Sequence, residues 1–290
     1  MYTERYLRDL YSFNEKRLGV QLGRLCVSAN LPPSEIAKVL NVSRMTVYNW
    51  FRGGAVRSKN VDRIEVFMRL VEDNIQAEKL PVQSYKEAKL FIKDYVRKIM
   101  IKEFYKKALP SSGVYCVAAI DPIKKIPSHK FVESIDDIEA AVNQFNRKKQ
   151  NIFVALSSFS GYSRKADDAV YVRSFFVDLD VGEGKGYNTK DEASKAVDSF
   201  VLSEDLPSPI KIDSGGGIHA YWLFDKDIAA DEWKPYAEKF KDLCIKRGLR
   251  IDPVVTADLA RILRCPETFN LKTDPPSPTK IIDEALPVYN

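Results

Sequence analysis

Histidine is almost missing from this chain of 290 residues, with His129 and His219 the only two. Its four cysteines, Cys26, Cys116, Cys244 and Cys265, stand far apart. The paired spacings of a zinc knuckle are therefore absent, and reduced, partly buried thiols are expected. No apolar run approaches the ~18 residues of a membrane helix, and no charged-then-apolar leader opens the chain. Repeats and low-complexity tracts are lacking as well. The sequence accordingly reads as an intracellular, cytoplasmic protein with no membrane partner.

What is present suffices for two domains of ordinary size, since 45% of the residues are apolar and 11% aromatic. The net charge of +5 conceals an asymmetry: residues 1–112 hold 21 Lys and Arg against 12 Asp and Glu, a balance of +9, and the remainder carries −4. A basic first part points towards a polyanion partner.

That first part has helical periodicity throughout. Tyr6, Leu7, Leu10 and Tyr11 mark one amphipathic segment, Val20 to Ala29 a second, and Pro32-Pro33 precedes a third that opens at Ser34. Between residues 34 and 52, Ile36, Ala37, Leu40, Val42, Val47 and Trp50 fit two short helices across a tight turn at Asn41, with Ser43 as cap and Gly53-Gly54 as stop. The pair resembles the helix-turn-helix of the repressor and Cro class. That resemblance implies duplex DNA contact through Arg44, Met45, Tyr48 and Asn49, with Arg52 near the phosphates. Ser58 opens a helix through Val61, Ile64, Phe67 and Val71, and Ser84 with Glu87 forms a capping box for a long basic helix over residues 85–108. That helix carries Lys93, Arg97, Lys98, Lys102, Lys106 and Lys107.

After Pro110-Ser-Ser-Gly113 strands alternate with helices, which predicts a helical domain over residues 1–112 and an α+β domain with a mixed sheet over residues 113–290. Strands are expected at 114–120, 152–156, 169–179, 210–213 and 218–224. Helices are expected after Ser134, after the Thr189 and Glu192 capping box, and after Asp231.

Three pieces of this domain carry chemistry. Ser174 to Gly182 is an apolar strand on which Asp178 and Asp180 leave the same face, and two like charges so placed need a cation. Ser214-Gly-Gly-Gly-Ile-His219 is a turn between strands where Gly215, Gly216 and Gly217 let the backbone approach phosphate oxygens and His219 can hydrogen-bond them. Asp252 and Asp258 then offer further carboxylates, and Arg261, Arg264 and Lys272 form a cationic set able to hold a triphosphate.

In this order the three pieces resemble the archaeo-eukaryotic primase superfamily, in particular primase-polymerases of phages and plasmids. The family's apolar Asp-x-Asp is matched at Asp178 and Asp180, and its Ser/Gly turn ending in His at Ser214 to His219. Its apolar-Asp motif is matched at Ile251-Asp252, with Asp258 in reserve. An Asp-x-x-Arg-x-Leu-Arg-x-Pro-Gly-Thr-x-Asn-x-Lys pattern runs from Asp258 to Lys272, departing from the family where Glu267 replaces Gly. The resemblance implies an RRM-like catalytic domain and two Mg²⁺ or Mn²⁺ ions on Asp178, Asp180 and Asp252. It further implies that Ser214, the glycines and His219 hold the phosphates of NTPs or dNTPs, supported by Arg261 and Lys272. The partners it implies are a single-stranded DNA template and a replicative helicase. Two other functions compete: a replication initiator or regulator with an inactive catalytic domain, and an Asp-x-Asp phosphohydrolase. The latter would continue Gly-Thr, where this chain has Val181-Gly182.

Overall fold

The computed structural model describes residues 2–147 and 149–282, the side chains of 94–100 and 147 excepted, so those of Arg97 and Lys98 lie outside the described residues. Two compact units emerge, Met1–Lys98 and Ile99–Asn290.

The first unit is helical: α1 (Glu4–Ser12), α2 (Leu18–Ser28), α3 (Pro33–Val39), α4 (Arg44–Phe51), α5 (Val61–Gln76) and the first part of α6 (Tyr85–Ala108). α3 begins at Pro33 and not at Ser34, because proline has no N–H to lose in the first turn. Ser43 caps α4 by accepting from Thr46 N at 3.1 Å, and Asn41 turns the chain with φ 49°. One face of α2 is stripped to glycine where α4 crosses it. A Cβ at Gly19 would sit 2.6 Å from the Trp50 carbonyl oxygen, and one at Gly23 would sit 3.0 Å from the Phe51 ring. The capping box opens α6 through Glu87 N to Ser84 Oγ at 3.2 Å, while the Glu87 carboxylate accepts from Gln83 N at 2.8 Å.

The second unit contains the rest of α6, then β1 (Tyr115–Ile120), β2 (Pro127–Val132), α7 (Ile138–Arg147), β3 (Asn151–Ala155), β4 (Ser157–Phe159) and β5 (Ala169–Asp180). There follow α8 (Lys190–Ser203), β6 (Ile210–Asp213), β7 (Gly217–Ala229), α9 (Ala230–Lys246), β8 (Ile262–Arg264), β9 (Phe269–Asn270), β10 (Ser277–Pro278) and β11 (Lys280–Ile281). The division between units falls inside α6, whose Ile101, Phe104, Tyr105 and Ala108 join the core of this second unit.

Among the described residues the strands form not one mixed sheet but two larger antiparallel ones, in the orders β2-β1-β3-β8 and β11-β6-β7-β5-β4, with β9 and β10 forming a small pair. The physical reason is a split crossover. β5 and β6, joined through α8, run parallel, but β7 inserts between them and pairs antiparallel with both. The parallel contact that remains is an isolated bridge between Val181 and Tyr187. α9 starts one residue before Asp231, with Ala229 in the cap position and Asp231 inside the first turn.

Two apolar clusters flank β5. Val177 and Leu179 face α8 and α9, packing with Val197, Phe200, Phe240 and Cys244. Phe176 points the opposite way, into the core shared with Tyr221, Ile212, Val154 and Leu263. All four cysteines are buried, and none is in a disulfide.

Candidate active site

The alternation along β5 continues past Phe176 to the two acids. Register places Phe176 opposite Tyr221, Asp178 opposite His219 and Asp180 opposite Gly217. Side chains paired in this way share a face, so the inner face of the sheet runs from apolar core to carboxylates within two residue pairs. β4 pairs only with Ala169 to Val172, which leaves the far end of β5 without a strand on that side. Asp252 fills the gap, its backbone N–H donating to the Asp178 carbonyl at 2.9 Å.

The charges at this end are mutually unfavourable. Burial raises the Asp178 carboxyl to about 7, reinforced by the negative charges of Asp180 and Asp252 and opposed by Arg261 and Arg264. Asp180 also meets Lys185 Nζ at 3.2 Å. Asp258 is engaged elsewhere, 3.4 Å from Arg261 Nε, and Arg261 also donates to the Val254 carbonyl at 3.1 Å.

His219 does not face solvent, as an outward strand position would imply; it is 3% exposed. Burial, helped by the charge of Arg264, pushes its pKa down to about 3, so the imidazole is neutral at pH 7. Its Nδ1 lies 3.4 Å from the Tyr221 hydroxyl. Burial holds that phenol protonated, and where it donates to Nδ1 the ring hydrogen lies on Nε2. Nε2 is directed at Asp178 Oδ1 across 3.6 Å, too far for a direct hydrogen bond.

The glycine turn is tightly enclosed. Gly215 adopts φ 80°, and a Cβ there would meet Asn270 Cβ at 2.6 Å, whereas one at Gly217 would lie 2.2 Å from the Leu179 carbonyl. The Gly215 N–H donates to Asp213 Oδ1 at 2.8 Å and is thus engaged within the turn, and Lys190 holds the same carboxylate at 2.7 Å. Ser214 is buried, and Lys272, exposed, is placed through its N–H to Asn270 Oδ1 at 3.1 Å.

Hard oxygen donors that repel one another suit a divalent cation, which would offset the desolvation of Asp178. Among the described residues no three His, Cys, Asp or Glu side chains converge into a complete cage. Mg²⁺ characteristically needs no such cage, completing its shell with water and substrate phosphates around one or two carboxylates.

In the first unit, Val47, Trp50 and Phe51 bury one side of α4, and Arg44, Met45 and Asn49 occupy the exposed side, Met45 at 71%. Arg44 lies over the Tyr48 ring, 5.3 Å from its centroid, and Arg52 is exposed just beyond the helix.

No family model matches the sequence. A replication protein of Clostridium perfringens is 25% identical over 154 residues, covering 52% of this chain and 36% of that protein. The chain thus spans about a third of the length of that relative. Among solved structures, primase RepB' has a TM-score of 0.45 at 10% identity, covering 64% of this chain and 56% of that one. The polymerase domain of Mycobacterium tuberculosis ligase D in complex with DNA has a TM-score of 0.38 at 14% identity, covering 60% of this chain and 76% of that one.

Arg264, one of the expected cationic set, has a buried partner in Asn151. Arg264, buried on β8, donates to Asn151 Oδ1 at 2.8 Å, and the same oxygen accepts from Leu271 N at 2.9 Å. Burial lowers the Arg264 pKa to about 10 against the pull of Asp178. Asn151, polar at the start of a strand, carries no mark of this role in the sequence. Glu267 occupies the left-handed region at φ 58°, the geometry that a glycine would adopt without strain.

Proposed function

We propose that this chain is a metal-dependent primase-polymerase that synthesises primers on a single-stranded DNA template by nucleotidyl transfer. The observation that carries the reading is the Asp178 end of β5. There a desolvated carboxylate is repelled by Asp180 and Asp252 beside a buried neutral His219 and a buried Arg264. Bound Mg²⁺ or Mn²⁺ supplies Lewis-acid stabilisation of the phosphates and lowers the pKa of an attacking 3′ hydroxyl. Asp178, Asp180 and Asp252 would hold it.

The protein's own groups bind and orient. His219 offers an Nε2–H to a phosphate oxygen without adding charge. Arg261, Arg264 and Lys272 provide cations, and Ser214 with Gly216 and Gly217 forms the close backbone approach. Similarity to a replication protein agrees with this reading. A phosphohydrolase of the Asp-x-Asp type gives no role to His219 or to the Arg261 to Lys272 run. α4 would contact duplex DNA through Arg44, Met45, Tyr48 and Asn49, with Arg52 on the backbone.

The test is de novo synthesis on single-stranded DNA with labelled NTPs and dNTPs, with Mg²⁺ or Mn²⁺, comparing the full chain with Asp178→Ala. Incorporation by a folded Asp178→Ala protein would sink the assignment. If the wild type binds duplex DNA in an Arg44- and Arg52-dependent way but incorporates nothing, the protein is a replication initiator.

A further inference from the structure

The four-stranded sheet has a face of which the site uses only Arg264. Ladder registers set His129, Ala118, Phe153 and Arg264 in one row across β2, β1, β3 and β8. Phe131, opposite Cys116, follows two residues further along β2 on the same face. The intervening row, with Val117, Val154 and Leu263, points into the apolar core with α7.

This face combines a small floor with rings and cations. Ala118 and Cys116 are the floor, and Phe131 and Phe153 stand partly exposed above it. Arg264 lies 4.7 Å from the Phe153 centroid. His129 is 6.3 Å from Phe131, and Phe131 is 6.1 Å from the ring of Tyr162. Tyr162 is 67% exposed yet held in place, its hydroxyl donating to Glu133. Arg164 contacts His129 Nε2 at 3.4 Å and donates to the carbonyl of Ala260, the neighbour of Arg261. The strip is thereby continuous with the loop that follows Asp252. Lys124 and Lys125 are exposed at the tip of the β1–β2 hairpin.

Exposed rings interleaved with cations on a sheet suit a strand whose bases are unpaired, because every base offers a face to stack and duplex bases are already stacked. We propose that this strip is a track for single-stranded DNA. Bases stack on Phe131 and Tyr162, Arg164 with Lys124 and Lys125 follows the phosphates, and the strand is led past Phe153 and Arg264 towards Asp178. The destination of the strand rests on the nucleotidyl-transfer reading; its binding does not.

The experiment titrates fluorescein-labelled (dT)12 with the full chain and follows anisotropy at several NaCl concentrations, without nucleotide or metal. Tyr162→Ala should weaken binding about tenfold, while Tyr162→Phe, which keeps the ring and loses the Glu133 bond, should stay within about twofold. Phe131→Leu, which keeps most of the packed volume, should weaken it to a similar degree as Tyr162→Ala, and Arg164→Gln should reduce the salt slope by about 0.7. Thermal melts confirm that each variant is folded. Wild-type affinity in both Tyr162→Ala and Phe131→Leu overturns the proposal, as does an equal loss in Tyr162→Phe and Tyr162→Ala. Ring-dependent binding by a wild-type chain that incorporates no nucleotide upholds the track and removes the transferase reading.

Discussion

The backbone N–H of Asp252 donates to the carbonyl of Asp178 at 2.9 Å, so the third acid reaches the first through the main chain. Its place is held by the unpaired edge of β5, and one of its carboxylate oxygens accepts from Val254 N at 3.0 Å. Asp258 lacks any such link to Asp178, and its carboxylate lies beside Arg261.

Asp252→Asn should therefore keep the fold and lose nucleotide incorporation by at least about a hundredfold, as expected for a metal-binding carboxylate. Asp258→Asn should cost less than about tenfold. Steady-state incorporation by the two variants decides between the carboxylates, and the reverse order of losses would transfer the role to Asp258.

The raised carboxyl of Asp178 has a consequence for stability. Its folded pKa of about 7 exceeds the ordinary 3.8, so between these values the folded state keeps a proton that the unfolded state has released. Stability should fall as pH rises through that window and reach its full deficit above about pH 7. The wild type is thus expected to lose up to ~4 kcal/mol that Asp178→Asn does not lose. Urea melts at pH 4.5 and pH 8 measure the difference. Adding Mn²⁺ at pH 8 should raise the wild-type Tm and leave Asp178→Asn nearly unmoved; equal shifts in both would remove Asp178 from the cation site.

His219, with its pKa near 3, does not titrate in the ordinary imidazole range. Activity between pH 5 and 8 should lack an inflection that His219→Gln abolishes. His219→Ala should raise the KM for nucleotide about tenfold with kcat changed by only a few-fold, the scale of one hydrogen bond to a charged group. A loss confined to kcat would contradict a binding role.

A packing prediction concerns the first unit. Gly19→Ala drives a methyl to 2.6 Å from the Trp50 carbonyl oxygen. Despite the better helix propensity of alanine, a net loss of about 1–2 kcal/mol is expected from the forced separation of α2 and α4. Chemical denaturation followed by Trp fluorescence measures it, and an unchanged midpoint would mean that α4 shifts freely on α2.

Much of the fold was legible where the local chemistry is redundant. Thr189 and Glu192 mark the start of α8 twice over: Glu192 N donates to Thr189 Oγ1 at 3.1 Å, and the Glu192 carboxylate accepts from Asn188 N at 3.0 Å. Along Val177, Asp178, Leu179 and Asp180 apolar and acidic residues alternate, which marks the end of β5 that carries the acids. β4, β8, β9, β10 and β11 span only two or three residues each, too few to establish a period. The burial of His219 and the engagement of the Gly215 N–H by Asp213 depend on neighbours distant in sequence or on turn geometry. Asn151 joins Arg264 to Leu271 across more than a hundred residues, a relationship that no local pattern records.

The two faces of β5 divide what a substitution there would do. Val177 and Leu179 face the α8 and α9 cluster, whereas Asp178 and Asp180 lie opposite His219 and Gly217. A saturation library over residues 176–180 should produce tolerance maps that alternate out of phase. Odd positions would govern how much folded protein accumulates, and the acids at even positions what that protein can do. Selection for abundance and selection for activity would then read two interleaved messages from a single strand.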